Sequence, residues 1–231
     1  MVHAKLIVRA VFGIIGNIIS FGLFASPVPT FYRVIKTNSV NEVKPKFHLL
    51  ATMNCLLWVL FSMPFVCPGN ILLLTANGFG VVMHLAYLII FLIYATDNER
   101  MYKGGVLLVE LAVIGVVSGL VTGLVDDISR RRFIMGLLCV YSAFMMYLSR
   151  FFHVVVDESA DYMPFPVVVT NTLNDLCWIF YGSLGFDVIV LFAYGLGFIV
   201  GVIQLARHVH SNKIPDDKKL AAADVQLQGM A

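Results

Sequence analysis

The chain predicts an all-α membrane protein: seven transmembrane helices arranged as two parallel three-helix repeats joined by a linker helix. Three observations lead there. Of the 231 residues, 59% are apolar and 13% charged, about half the charge of an ordinary soluble protein. The chain offers seven separate apolar runs near the roughly 20 residues that a bilayer core asks of a helix. And Asn54 and Trp58 return, at the same spacing, as Asn174 and Trp178, 120 residues further on.

The first span is expected over about Leu6 to Ser26. Its charged start and apolar run would also suit a secretory signal peptide, but six further runs favour a spanning helix. Gly13, Gly16 and Gly22 are small enough to let helices approach closely in lipid. A loop, Tyr32 to Lys46, should follow Pro27 and Pro29 and hold Arg33, Lys36, Lys44 and Lys46. Span two is read from Phe47 to about Val66, span three from Ile71 to about Ala95, and Thr96 to Lys103 as a charged loop. Span four, Gly104 to Val125, has no counterpart elsewhere and reads as the linker. After a polar turn, Asp126 to Arg132, come span five (Phe133 to about Val156), an acidic loop (Asp157 to Asp161), span six (Phe165 to Leu184) and span seven (Val188 to Arg207). The polar tail from His208 to Ala231 is expected to lack fixed structure. Grouped, these give a first repeat over residues 6–95, a linker over 96–132, a second repeat over 133–207 and a tail over 208–231. Because three is odd, one extra helix is needed for both repeats to point the same way.

With the N-terminus outside, eleven of the sixteen Lys and Arg fall on the inside, so the positive-inside rule places the C-terminus in the cytosol. The net charge of +2, without a basic face, argues against nucleic acid as a partner. Cys55, Cys67, Cys139 and Cys177 have no metal-ligand spacing and read as packing residues; no metal site or cofactor is expected. No nucleophile, base and orienter come together, so no catalytic residues are assigned and an enzyme is not the reading. A seven-helix receptor would not show the tandem repeat.

The polar residues inside the spans carry the function. Hydrocarbon offers no water to an amide, so Asn54, Asn77 and Asn174 must face protein or a wet cavity. Asn77, followed by Gly78 and Gly80, is the candidate for substrate. Asn54 and Asn174 read as interhelical hydrogen-bonders, and His48, His84 and His153 as packed or interfacial rather than proton-coupling. Glu110, alone in span four, reads as a satisfied polar contact. Parallel-repeat transporters hold substrate between the repeats near the membrane middle.

The stretches GNIISFGLFASPVPTFYRVIK, LLATMNCLLWVLFSMPFV, ILLLTANGFGVV, DYMPF, LNDLCWIFYG and FDVIVLFAYGLGFIVGVIQL resemble the SWEET sugar facilitators, a family of 3+1+3 helix proteins, over about Gly13 to Leu205. The resemblance implies sugar held between the halves by an Asn of the third span (Asn77), an aromatic of the sixth (Trp178) and an Asn of the seventh, where this chain has Tyr194; Trp58 is the repeat mate of Trp178 and a pocket wall. It implies four inner-side hinge prolines: Pro27 and Pro164 match, while Phe47 and Arg150 stand at the other two positions, with Pro45 near enough to substitute in part. Asp157, Glu158 or Asp161 could pair with Arg150 and latch the inner gate. It implies an outer gate of a Tyr and an Asp: Asp187 matches, but Phe61 lacks the hydroxyl, which would leave that gate looser.

The expected function is a facilitative, bidirectional uniporter for a mono- or disaccharide, working by alternating access. The alternative is a transport-impaired paralogue that assembles with active family members and modulates them, suggested by Tyr194, Arg150, Phe47 and Phe61 together. The resemblance makes a homo- or hetero-oligomer the expected assembly. The plasma membrane is the default location, with the vacuolar membrane as the other option.

Overall fold

The structure, a computed structural model, describes residues 2–41, 43–155 and 165–211. Eight helical segments follow one another: α1 (Val2–Ala25), α2 (Val28–Thr37), α3 (Pro45–Phe61), α4 (Ile71–Tyr94), α5 (Asp97–Leu124), α6 (Ile128–Val155), α7 (Phe165–Leu184) and α8 (Val188–Ser211). Among the described residues, five stretches are long and apolar enough to cross a membrane: His3–Thr37, Ile71–Tyr94, Asp97–Leu124, Ile128–Leu148 and Val188–His210. Helix α3 is apolar but shorter, at 17 residues. Helix α7, of 20 residues, carries Asn171, Asn174 and Asp175 among its apolar side chains.

Several boundaries differ from the sequence expectation, each for a local reason. The chain from Tyr32 is helical as far as Thr37, because α2 restarts directly after the break at Ser26 and Pro27: Phe31 N–H donates to the Pro27 carbonyl (3.1 Å), and Phe31 and Val34 turn inward while Tyr32 and Ile35 stay exposed. Helix α3 stops at Phe61 rather than Val66, since a residue before proline is pushed out of the helical region and Pro64 follows closely; Val66 N–H closes a turn on Met63 (2.9 Å). The charged stretch from Thr96 is no loop. Thr96 Oγ1 accepts from Glu99 N–H (3.5 Å), Asp97 and Glu99 favour the positive helix end, and Arg100 Nε donates to the Leu92 carbonyl at the end of α4 (2.8 Å). Likewise Asp127 opens α6 within the expected polar turn, accepting from Ser129 N–H (2.9 Å). Helix α8 runs four residues past Arg207, to Ser211. The acidic loop Asp157 to Asp161, Pro164 and the tail beyond Ser211 lie outside the described residues.

The helices close into a ring. Helix α1 packs against α4 and α7, α3 against α4 and α6, and α8 against α6 and α7, so the order around the ring is α1, α4, α3, α6, α8, α7. In each triplet the third helix sits between the first and second. The linker α5 lies outside this ring against α3, α4 and α6; only Ile114 and Val121 of it are buried, while Leu108, Val109, Val113, Val116 and Leu120 are exposed. A bilayer rather than water accounts for so apolar an exterior.

Close approach along α1 rests on its small residues. A Cβ at Gly13 would stand 2.6 Å from Leu72 and 2.9 Å from Tyr181, and one at Gly16 would stand 3.1 Å from the Trp178 indole. Gly22 has open space and plays no such part.

Candidate functional site

A cavity of about 460 Å³ runs between the two triplets. Its wall takes Ser20 and Phe24 from α1, Asn54 and Trp58 from α3, Asn77 and His84 from α4, Tyr147 from α6, Asn171, Asn174 and Asp175 from α7, and Tyr194 from α8. At one end the lining reaches Pro27, Thr30 and exposed Lys44.

Three of the four expected substrate residues stand on that wall together. Asn77 is 5% exposed; its Nδ2 donates to the Leu73 carbonyl of its own helix (2.9 Å), and its side chain meets that of Tyr194. Trp58 is buried at 1%. Tyr194 bridges the two tryptophans, its ring centroid 5.6 Å from Trp58 at 34° and 5.6 Å from Trp178 at 22°. Trp178 is the exception. It does not line the cavity but lies behind Tyr194, edge-on to Tyr181 (5.4 Å), with its indole N–H donating to Ser20 Oγ (3.5 Å). A phenol where a smaller amide would leave the indole bare accounts for this.

The amides at the repeat-related positions act as the sequence suggests. Ser142 Oγ donates to Asn54 Oδ1 (2.9 Å) and Ser20 Oγ to Asn174 Oδ1 (2.9 Å), one bond across each of the two seams between the triplets. Asp175, which the sequence reading passed over, is also buried in the wall. Tyr147 O–H donates to its Oδ1 (3.3 Å), and Gly197 makes the space, since a Cβ there would stand 2.4 Å from Tyr147 and 2.7 Å from the Asp175 carboxylate. An acidic residue inside an apolar span was the signal that could have found it. His48 and His84, read as packed, are buried and hydrogen-bonded to each other, Nδ1 to Nδ1 at 3.1 Å. Glu110 differs from its expectation: Oε2 has no hydrogen-bond partner among the described residues.

At the end reached by Lys44, the expected hinge positions behave unequally. Pro27 lacks an N–H to give the Leu23 carbonyl, and Ser26 supplies it instead through N–H (3.2 Å) and Oγ (2.7 Å). The break between α1 and α2 is thereby satisfied. Its repeat mate Arg150 lies within an unbroken α6, because a residue with its own N–H continues the helix; the Arg150 side chain, and Pro164, lie outside what is described. Pro45 does not stand in as a bend, for it sits in the first turn of α3, where a proline has no helix bond to break. Phe47 lines the cavity and sets its ring edge-on to His48 (5.4 Å).

At the opposite end a polar network gathers around Asp187, one of the two expected outer-gate residues. Asp187 is 3% exposed on its side chain and pairs with Arg132 Nη2 at 2.9 Å. Asn70 Nδ2 donates to the same carboxylate (3.5 Å), while Asn70 Oδ1 accepts from Arg9 (2.8 Å) and Tyr181 O–H (3.2 Å). The Arg9 guanidinium lies 4.2 Å over the Tyr181 ring, and Gly185 leaves it room, since a Cβ there would approach to 2.7 Å. Phe61, fully buried, packs edge-on to Trp58 (5.5 Å) instead of reaching Asp187. With phenylalanine rather than tyrosine at position 61, arginine and asparagine supply the donors the buried carboxylate requires.

Comparison with known proteins agrees with this geometry. The family model described as "Sugar efflux transporter for intercellular exchange" matches twice, over residues 10–99 and 133–213, one match per triplet. The chain is 39% identical over 221 residues to "Bidirectional sugar transporter SWEET7b" of Oryza sativa subsp. japonica, covering 93% of this chain and 83% of that one. It is 35% identical over 204 residues to "Bidirectional sugar transporter SWEET5" of Arabidopsis thaliana, covering 87% and 85%. A solved structure, "The 3.7 A resolution structure of a eukaryotic SWEET transporter", superposes with a TM-score of 0.84 at 30% identity, covering 91% of this chain and 100% of the other.

Proposed function

The chain belongs to the SWEET family of bidirectional sugar transporters, and from that premise we propose that it is a facilitative uniporter carrying a mono- or disaccharide in both directions. The observation that carries this is the cavity itself: it lies between the triplets, is lined from both, and combines amides with aromatic faces, the mixture that sugar hydroxyls and C–H faces require. Transport follows if the triplet of α1, α3 and α4 rocks against that of α6, α7 and α8, with the boundaries taken as residues 6–95 and 133–207. With the N-terminus outside, the Arg132–Asp187 end faces outward and the Lys44 end faces the cytosol, so this conformation is inward-facing. Pro27, with its break already capped by Ser26, serves as the hinge of the first triplet; the second hinge falls to Pro164. The plasma membrane is the expected site, and assembly with further copies or with other family members the expected state.

The test is uptake and efflux of radiolabelled glucose and sucrose in a host lacking its own sugar carriers, with surface expression confirmed. Saturable flux both ways, without dependence on a pH gradient, is expected. A second reading is favoured by one observation, the Tyr194 ring lying against Trp58 and Trp178 where a sugar ring would stack: a transport-impaired subunit that modulates active relatives. A silent wild type that Tyr194→Asn switches on would establish that second reading.

A further inference from the structure

We propose that Tyr181, held by Asn70 and Arg9, is the latch of the outer end, doing from the second triplet what a phenol at Phe61 would do from the first. The proposal rests on the alternating-access reading and adds the contact that alternation must break. The tandem repeat exposes the relationship. Phe61 and Tyr181 lie 120 residues apart, the offset of Asn54 and Asn174. Asn70 and Asp187 lie 117 apart, the offset of Gly78 and Gly195. Each directly precedes the third helix of its triplet, its carbonyl accepting the N–H of Leu74 or Leu191 (3.0 Å in both). Arg9 and Arg132 lie 123 apart, the offset of Ser26 and Ser149. The outer end is thus built twice, as Arg9, Asn70 and Tyr181 and as Arg132, Asp187 and Phe61.

In both sets the arginine reaches the residue before the third helix of its own triplet, Arg9 Nη2 to Asn70 Oδ1 at 2.8 Å and Arg132 Nη2 to Asp187 Oδ2 at 2.9 Å. Those contacts stay within a triplet. What crosses is the aromatic member. Tyr181 of α7 donates its hydroxyl to Asn70 of the first triplet (3.2 Å) and sets its ring under Arg9 (4.2 Å), whereas Phe61 has no hydroxyl to give Asp187. The set that keeps its tyrosine is the one that ties the triplets. Asn70 is the node: its oxygen accepts from Arg9 and Tyr181, and its nitrogen donates to Cys67 Sγ (3.0 Å) and Asp187 Oδ2 (3.5 Å). That fills both acceptor sites and both donors of the amide. The bonds to Tyr181 and Asp187 cross between triplets, and Arg132 aims the second carboxylate at Asn70. Asn70 is 3% exposed and Tyr181 2%, so water replaces these bonds only once the end opens. A further crossing bond, Arg131 Nη1 to the Phe65 carbonyl (3.5 Å), is exposed and weak by comparison. Inward, Tyr181 stands edge-on to Trp178 (5.4 Å), which stacks on Tyr194 of the cavity wall (5.6 Å).

The test reads which end is open and needs no sugar. Cys67 reports the outer end, and Thr30→Cys reports the other, since Thr30 lines the cavity where it reaches Lys44. Each is labelled by a membrane-impermeant thiol reagent from its own side of sealed vesicles, in the Cys55→Ala, Cys139→Ala, Cys177→Ala background, with and without Tyr181→Phe. That variant removes a hydroxyl and no charge. It should speed labelling of Cys67 about fivefold, the effect of one lost hydrogen bond, while labelling at Thr30→Cys stays level or slows. Cys67 labelling within about twofold of the parent overturns the latch, as does a rise at both reporters, which is what loosened packing alone would give. Should Tyr181→Phe fail to reach the membrane, Arg9→Gln is read by the same criteria. Burial raises the Cys67 thiol pKa and the Arg9 charge works against it, so losing that charge alone would slow the reaction, and acceleration again reports opening. A wild type without saturable sugar flux would overturn the transport reading and leave this readout standing.

Discussion

Asn54 and Asn174 occupy the same place in two halves of one chain, and each accepts a 2.9 Å hydrogen bond from a serine of the other half, Ser142 and Ser20 respectively. The seams between α3 and α6 and between α1 and α7 are therefore closed by the same chemistry. Such bonds in membrane bundles average roughly 0.6 kcal/mol and rarely exceed about 1.7. They hold the halves together without locking them, as a rocking mechanism requires.

Ser20→Ala and Ser142→Ala should each lower thermal stability in detergent by an amount in that range. Their effects should add in the double variant, because the two bonds share no partner. Differential scanning fluorimetry of the four proteins decides this; a double variant no less stable than either single one would show that the seams are not independent.

Asn77→Ala should reduce glucose uptake at least about tenfold with surface expression intact, since a site built to pair sugar hydroxyls loses heavily when a polar partner is deleted. The amide's own-helix bond to Leu73 and its side-chain hydrogen bond with Tyr194 use only part of its two donors and two acceptor sites, so the rest remain for substrate. Undiminished uptake would remove Asn77 from the site.

Tyr194→Asn should uncover Trp178 to the cavity and lower the glucose KM by about tenfold, on the order of what stacking a sugar ring on one more indole face contributes. Tyr194→Phe keeps both ring pairings and should behave like wild type. If Phe and Asn variants transport alike, the phenol ring is not what occupies the sugar's place.

Cys67 offers a reporter for the outer end. It is buried, and Asn70 Nδ2 donates to its sulfur (3.0 Å); burial pushes its thiol pKa up, while the charge of Arg132 works the other way and holds it down. In a background of Cys55→Ala, Cys139→Ala and Cys177→Ala, Arg132→Ala should speed labelling of Cys67 by a membrane-impermeant thiol reagent. Loss of the arginine charge alone would raise the thiol pKa and slow the reaction, so acceleration reports opening of the gate. Unchanged or slower labelling would mean that the Arg132–Asp187 pair does not keep this end shut.

The number of spans, their pairing into two like triplets and the polar positions within them are legible in the residues alone, because hydrocarbon admits only backbone that satisfies its own hydrogen bonds, and Asn54, Asn77 and Asn174 stand out against it. The break at Pro27 is legible too, since a missing N–H is a covalent property. Other features needed the folded chain, for they depend on neighbours distant in sequence. Tyr194 hides Trp178 from the cavity because α8 brings its phenol against two indoles from other helices. Asp187 finds a partner despite Phe61 because α6 begins beside it and presents Arg132. His48 and His84 pair because adjacent faces of α3 and α4 meet. A side chain's partners at bilayer depth follow from which helices adjoin and how each is rotated, and packing sets both.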